Sequence, residues 1–383
     1  MRMLKGKKTL VRATLTMIGT IVGAGIFGIP AMFEKTGVFV GSVVFWIVTA
    51  VILATHLLFV ELVVRDPERR RFPGYVGKIL GPWTKRFSAV VYLLGSSGAN
   101  FAYVVLGGLF LSQIASAFGI GIGDVVWQIL FWAGGALIVL AALRVVAKIE
   151  SVLTWLLIAV MLLLIAFAIP QANPLRFVPQ HWDLAFVPLG TFIFALFGMM
   201  AVPEVHEIAG RRADRTRWAV AIGTIASGIL TWLFGVFVFA AVSPGFASDF
   251  GAMAHIISMP LLRFILPLIG LLAVITSFIT SAFDLQAMIR LDLGQRAWVG
   301  RLVTFGIPLV LLFLTARDFL QTIDIVGALF TACDGVIVCI AAAVVMRRDR
   351  RRPSVWWTVV TPATAVAAFL VAMVQRLLAF ALH

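Results

Sequence analysis

Apolar segments close to the roughly 20 residues that cross a bilayer core as a helix follow one another along this chain. They run at 9–33, 38–63, 86–117, 125–146, 150–170, 184–208, 217–242, 261–289, 298–315, 318–346 and 355–380, about eleven spans by that rule. Hydrocarbon offers no partner to a backbone N–H or C=O, so each segment must satisfy its own polar groups, and a helix does so within itself. The sequence therefore specifies an all-α membrane protein. Composition agrees, with 62% hydrophobic and 13% charged residues, against about 25% charged in a soluble domain.

The net charge is +14, yet its placement argues against a nucleic-acid surface. Basic residues cluster at the ends of alternate spans: Arg2, Lys5, Lys7, Lys8 and Arg12; Arg65, Arg69, Arg70, Arg71, Lys78, Lys85 and Arg86; Arg144 and Lys148; Arg211, Arg212, Arg215 and Arg217; Arg290, Arg296 and Arg301; Arg347, Arg348, Arg350, Arg351 and Arg352. The opposite side keeps Lys35, Arg176, Arg263, Arg317 and Arg376. By the positive-inside rule the N-terminus and the basic connections are cytoplasmic, and short loops suit a prokaryotic plasma membrane. The basic N-terminal stretch resembles a secretory signal, but span 1 has full length and no small-residue cleavage site follows it, so it reads as a retained helix. Cys333 and Cys339 lie six residues apart in one apolar segment and point different ways on a helix, as packing residues do.

Spans 3 and 8 are the long ones, and they occupy equivalent places if spans 1–5 and 6–10 form two halves. Five being odd, the halves have opposite orientation, the inverted repeat of many transporters. The expected division is residues 1–170, 171–346 and an accessory span in 347–383. Inside span 1 stands GTIVGAGIFGIP, residues 19–30, with four glycines and a proline. Glycine makes unwinding cheap, and proline cannot donate to the helical ladder. Span 6 carries FALFGMMAVPE, residues 194–204, with Gly198 and Pro203 at a similar depth. Paired interruptions at corresponding places point to a transporter's binding site. The competing reading is that the glycines only let helices approach, as Gly19 and Gly23 at GxxxG spacing would.

These two motifs, with ITSFITSAFD at residues 275–284, resemble the amino acid/polyamine/organocation superfamily, most closely its aromatic and neutral amino acid permease branches. The resemblance covers the first ten spans in order. It implies the LeuT-type fold with helices 1 and 6 broken, and an amino acid held between the breaks. N–H groups freed at a half-helix N-terminus suit a carboxylate, and Gly23, Ala24 and Gly25 match the family's carboxylate motif. Freed carbonyls around Ile193, Phe194 and Leu196 would accept from the ammonium, so no charged side chain is required. Ile26, Phe27, Phe194, Gly198 and Met199 are the expected wall, roomy and adaptable enough for a bulky apolar or aromatic side chain. In span 3, Asn100 and Tyr103 stand at i, i+3 and so lie on one side, where they either serve the substrate or hydrogen-bond between helices.

The family's sodium position corresponds to the carbonyls of Gly19, Val22 and Ala273 with the hydroxyls of Thr276 and Ser277. The alternative for those hydroxyls is a bond to their own preceding turn. Proton-coupled relatives place a lysine amine there, at a position aligned with Leu157; leucine in its place favours sodium. Glu61, Glu204, His206, Asp284, Asp324 and Asp334 are intramembrane or near-terminal ionisable groups and hence functional candidates. Glu204, Asp284, Asp324 and Asp334 are the gate or proton candidates, and the last two, ten residues apart, would share a helix face. An enzyme is not expected: EVHEI lacks the second histidine of HExxH, and GSSG at 95–98 is not GxSxG. No prosthetic cofactor and no nucleic-acid partner are expected; the partners are an amino acid and the bilayer, and the oligomeric state is not encoded in any motif. The rival to transport is a receptor of the same fold that binds an amino acid without moving it.

Overall fold

The computed structural model describes residues 2–141, 143–241, 260–348 and 355–382, so Arg350, Arg351 and Arg352 lie outside the described residues. Every span expected from the sequence is mainly helical where described, with spans 1 and 6 interrupted. Among the described residues, ten helices are long and apolar enough to cross a membrane, and one bent pair makes an eleventh span.

The bent pair is span 1. Helix α1 (Arg2–Ile21) ends before the glycines, a 3-10 turn covers Ala24–Gly28, and α2 (Ile29–Thr36) resumes with Pro30 in its first turn. The two arms are bent by 45°. Span 2 is α3 (Val38–Val63), and a short helix absent from the sequence reading, α4 (Phe72–Leu80), precedes span 3. Span 3 is α5 (Pro82–Ser116), joined to α4 through Gly81 alone, whose φ of 96° favours glycine. Spans 4 and 5 are α6 (Asp124–Ala141) and α7 (Leu143–Ala168). Span 6 consists of α8 (Leu189–Leu196), a 3-10 turn at Met199–Ala201 and α9 (Val202–Ile208). Then follow α10 (Ala213–Ala241), α11 (Pro260–Leu291) and α12 (Ala297–Leu314). Span 10 is α13 (Phe319–Ile325), a π-helical segment Val326–Thr331 and α14 (Ala332–Arg347). Span 11 opens with a π-helical turn, Trp356–Val360, before α15 (Thr361–Ala381).

Two buried apolar clusters hold the bundle. One joins α1, α2, α3, α8, α14 and α15 through Met17, Phe33, Phe45, Phe192, Val338 and Phe369. The other surrounds the span 1 break with α5, α6, α7 and α11, where Phe27 meets Phe110 edge-on at 5.2 Å. Between them α8 presses against span 10. A methyl group on Gly327 would sit 1.9 Å from the Gly190 carbonyl oxygen, and one on Gly190 would meet the Asp324 carbonyl at 2.3 Å.

At the end opposite the basic clusters, the connection between spans 5 and 6 folds over the bundle. Gln180 Oε1 accepts the N–H groups of Phe39 and Val40, at 3.0 and 3.1 Å, and so serves the orphan donors that open α3. Arg176 pairs with Glu34 at 3.1 Å, donates to the Phe239 carbonyl at 2.7 Å and lies over the Phe239 ring at 4.2 Å.

The close approach of α8 to the π-helical segment fixes where the span 6 break stands. Gly327→Ala should destabilise the fold by about 1–3 kcal/mol through overpacking against backbone, whereas Gly134→Ala, inside α6 with open space around its Cβ position, should cost nothing and gain up to about 1 kcal/mol of helix propensity. Thermal unfolding of the two variants in detergent checks the difference.

Candidate functional site

The helical ladder of α1 ends where Val22 N–H bonds the Ile18 carbonyl at 2.8 Å, and the next backbone bond is Ile26 N–H to the Gly23 carbonyl at 3.3 Å. Between them, the carbonyls of Gly19 to Val22 leave the ladder. Ala24 N–H has turned to Ser277 Oγ of α11, 3.2 Å away. Of the three expected carboxylate donors, Ala24 is thus engaged with a side chain, while the N–H groups of Gly23 and Gly25 make no backbone hydrogen bond.

Span 6 breaks in a complementary way. The chain leaves α8 at Phe197 in extended conformation. In a continuing helix Gly198 N–H would return to the Phe194 carbonyl; here it donates to His56 Nε2 of α3 at 3.0 Å. The last-turn carbonyls, those of Ile193, Phe194 and Leu196 included, therefore lose their helical donors. His56 is fully buried, and its Nδ1 meets Thr224 Oγ1 of α10 at 3.0 Å. Because Nε2 accepts from an amide, the ring is neutral with its proton on Nδ1, donated to Thr224.

The two breaks touch. A methyl group on Gly25 would sit 2.7 Å from Ala195 Cα and 3.1 Å from the Phe194 ring, and one on Gly198 would meet Ile21 at 2.4 Å. Gly198 therefore leaves room for α1 and not for a ligand. Met199, expected in the wall, is 1% exposed and packed in the apolar core; the 3-10 turn rotates its neighbour Met200 into the adjoining cavity instead. Ile26, Phe27, Ile193 and Leu196 are also buried in the apolar clusters.

That cavity, of about 70 Å³, is formed by α5, span 6, α11 and span 10, and its walls include Tyr103, Phe194, Phe197, Met200, Ser281 and Asp334. The Tyr103 and Phe194 rings stand 6.2 Å apart. Asn100, one turn from Tyr103, is completely buried with neither amide atom hydrogen-bonded. The interhelical bond that was its alternative role is not made. An unsatisfied buried amide requires an explanation, and an ordered water or a ligand supplies one.

Thr276 Oγ1 and Ser277 Oγ both donate to the Ala273 carbonyl, at 2.9 and 3.0 Å, bonding their own preceding turn. Ser277 nonetheless meets the span 1 break: a methyl group on Gly23 would be 2.3 Å from Ser277 Oγ, and one on Gly19 equally close to Thr154 Oγ1 of α7. Thr154 is a neighbour the sequence reading missed. Leu157 lines one apolar cavity, of about 330 Å³, with Ala273 and Thr276.

At the basic end, Arg71 pairs with Asp284 of α11 at 2.8 Å, and the Tyr92 hydroxyl of α5 donates to the other carboxylate oxygen of Asp284. Asp292, just past α11, accepts Arg71 N–H at 3.1 Å and Gly74 N–H at 2.8 Å, capping α4 from a distant part of the chain. Glu204 is near enough for its charge to act on Arg71. Glu61 joins α3 to α10 through Arg217 at 2.7 Å, and His206 Nδ1 meets Thr216 at 2.8 Å. Asp324 and Asp334 do not share a face. The π-helical segment between them winds more residues per turn, so Asp324 pairs with Arg376 of α15 at 3.0 Å while Asp334 faces the central cavity. His56, Arg71, Tyr92 and Asp292 were not singled out from the sequence, although His56 carries the intramembrane ionisable signal.

Three comparisons bear on this arrangement. The sequence profile of the tryptophan/tyrosine permease family matches residues 6–379. Glutamine transporter 2 of Aliivibrio fischeri (strain ATCC 700601 / ES114) is 21% identical over 333 residues, covering 84% of this chain and 85% of that protein. Among solved structures, MhsT in complex with L-phenylalanine superposes with a TM-score of 0.67 at 15% identity, covering 94% of this chain and 97% of that one. A manganese transporter of Eremococcus coleocola superposes with a TM-score of 0.67 at 14% identity, covering 96% and 86%. The fold is the LeuT-type fold.

Two predictions follow from this geometry. His56→Leu strands a buried N–H and a buried hydroxyl, and should destabilise the protein by about 1–3 kcal/mol, while His56→Gln, which keeps an acceptor and a donor, recovers most of the loss; thermal unfolding in detergent checks both. Burial pushes the Asp292 carboxyl up to about 6, above the roughly 3.9 of an unfolded chain. The folded protein then holds a proton that the unfolded chain has released between those values. The resulting stability is complete below about pH 4 and disappears as pH rises through about 6. Asp292→Asn should flatten that slope in a pH series of unfolding temperatures.

Proposed function

The chain belongs to the tryptophan/tyrosine permease family, and from that premise we propose that it carries a neutral apolar or aromatic amino acid across the plasma membrane, driven by sodium. It is a multi-pass membrane transporter and not an enzyme. The observation that carries the substrate reading is the contact of the two breaks, Gly25 against Ala195, with the Gly198 N–H diverted to His56. A zwitterion placed there has donors for its carboxylate at Gly23 and Gly25 and acceptors for its ammonium at Phe194 and its neighbours, with no side-chain charge needed. Tyr103, Phe194, Phe197 and Met200 line the adjoining cavity, and such walls favour an apolar or aromatic side chain over an amide. The phenylalanine bound to MhsT and the name of the family agree with that preference, and the glutamine transporter broadens the class to neutral amino acids.

Sodium is a hard cation that takes oxygen ligands. The carbonyls of Gly19, Val22 and Ala273 and the hydroxyls of Thr276 and Ser277 would hold it, beside the substrate carboxylate whose charge it balances. The fit rests on the ladder of α1 ending at Ile21 just where Ser277 approaches. Alternating access further requires the basic end to open and close. With that end cytoplasmic, the Arg71–Asp284–Tyr92 contact is the inner closure, joining the chain ahead of α4 to α11 and α5.

Purified protein in liposomes, supplied with labelled amino acids under a sodium gradient or a proton gradient separately, tests the reading. Accumulation of phenylalanine, tryptophan or tyrosine under the sodium gradient is expected, and Thr276→Ala with Ser277→Ala should lower sodium-dependent uptake at least tenfold. Binding without uptake would make the protein a receptor, and uptake indifferent to sodium would remove the ion from the mechanism.

A further inference from the structure

Span 11 reads from the sequence as an accessory helix, yet from Val355 to Ala381 it carries one charged residue, Arg376. A guanidinium inside an apolar span is costly to keep and marks a function with a nameable partner. The partner is Asp324 of α13, 3.0 Å from Arg376 Nη1, with the two side chains 17% and 16% exposed. The guanidinium lies over the Phe380 ring at 4.8 Å, and its Nε is buried with no hydrogen bond among the described residues. Asp324 is therefore what Arg376 is held against.

The carboxylate has a second duty. Helix α8 starts after Pro188, whose side chain offers no acceptor to cap it, and the N–H of Thr191 in the first turn has no intrahelical partner. Asp324 accepts that N–H. A negative charge at this end also meets the positive pole of the helix dipole. A methyl group on Gly190 would sit 2.3 Å from both the carbonyl oxygen and Oδ1 of Asp324, so the cap reaches α8 through space that a glycine leaves open. Span 1 joins at the same place: a methyl group on Gly28 would meet Ile323 at 2.7 Å and Thr191 Cγ2 at 2.8 Å. At its other end α8 carries the Phe194 carbonyl and Ala195, the residue that meets Gly25. Thr191 and Phe194 are less than one helical turn apart, so a rotation of the helix at the capped N–H turns the Phe194 carbonyl with it.

We infer that Asp324 and Arg376 are positioning residues for substrate binding: span 11 holds the carboxylate that caps α8, and the cap sets the direction of the span 6 carbonyls that receive the ammonium. The inference rests on the transporter reading of the span 6 break and makes span 11 part of substrate recognition. Neither side chain touches the substrate. Arg376 acts through Asp324, and Asp324 acts through α8.

The full chain tests this in two settings, uptake into liposomes and equilibrium binding in detergent, with whichever of labelled phenylalanine, tryptophan, tyrosine and glutamine wild type binds best. Arg376→Gln should raise the KM and the Kd about tenfold and leave the maximal rate within about threefold, the pattern of binding lost equally from ground and transition states. Arg376→Lys, which keeps a charge on a long stem for this single contact, should stay within about threefold of wild type in all three. The exchanged pair, Asp324→Arg with Arg376→Asp, separates positioning from mere bridging, because it restores an ion pair but offers Thr191 no acceptor. It should regain the unfolding temperature that Arg376→Asp alone loses, while affinity stays about tenfold weak. The inference is overturned if Arg376→Gln leaves KM and Kd unchanged or lowers only the maximal rate, if Arg376→Lys is as weak as Arg376→Gln, or if the exchanged pair recovers wild-type affinity. Wild type that binds without uptake would strike the transporter reading alone, since the Kd values still test the pair; wild type that binds none of the four overturns both.

Discussion

The Gly198 N–H and its acceptor, His56 Nε2, hold the centre of this structure together. In hydrocarbon a helix can be broken only if the groups released find other partners. At span 6 that partner is an imidazole carried by a neighbouring span and fixed by Thr224 of a third. With the amide so occupied, the Phe194 carbonyl is released from its helical bond and remains an acceptor. At span 1 the corresponding device is Ser277, which takes the Ala24 N–H from α11. Each break is thus sustained by a side chain from another helix, and the position of each depends on the packing of the whole bundle.

The breaks themselves were legible because their cause is local. Glycine and proline weaken the ladder wherever they stand, and the structure unwinds at Val22–Gly23 and at Phe197–Gly198, beside the residues that announced it. Glycine also carries a second meaning that sequence cannot separate from the first. Gly198 is both the breaking residue and the place where Ile21 of α1 passes within 2.4 Å of an added methyl. Close packing and unwinding were weighed as alternatives, and at this position one glycine does both.

What escaped the sequence is what depends on distant pairing or on an unmarked change of helical pitch. VGALFT in span 10 contains nothing that distinguishes a π-helix from an α-helix, yet its pitch turns Asp324 toward Arg376 and Asp334 toward the central cavity. The expectation of a shared face assumed uniform winding. Met199 gave way to Met200 for a related reason, since three residues of 3-10 helix turn the chain differently. Arg71 looked like one member of a basic loop under the positive-inside rule, and its pairing with Asp284 spans most of the chain. Asp292 caps α4 across a similar distance. Side chains recruited over such separations leave no periodic signature.

The two ends of the bundle are closed by different physics. Opposite the basic end, the segment after α7 lies on α2 and α3 through backbone and amide bonds, with Arg176 shared among Glu34, the Phe239 carbonyl and the Phe239 ring. At the basic end the closure converges on one carboxylate, Asp284, which holds a guanidinium and a phenol at once in a buried setting. Separating a buried ion pair leaves charge uncompensated until water enters, so breaking it is costly and strongly dependent on hydration. Tyr92 belongs to both worlds, donating to Asp284 while lining the cavity that holds Asp334. Loss of the Asp284 contact therefore also frees a hydroxyl in the wall of the central cavity.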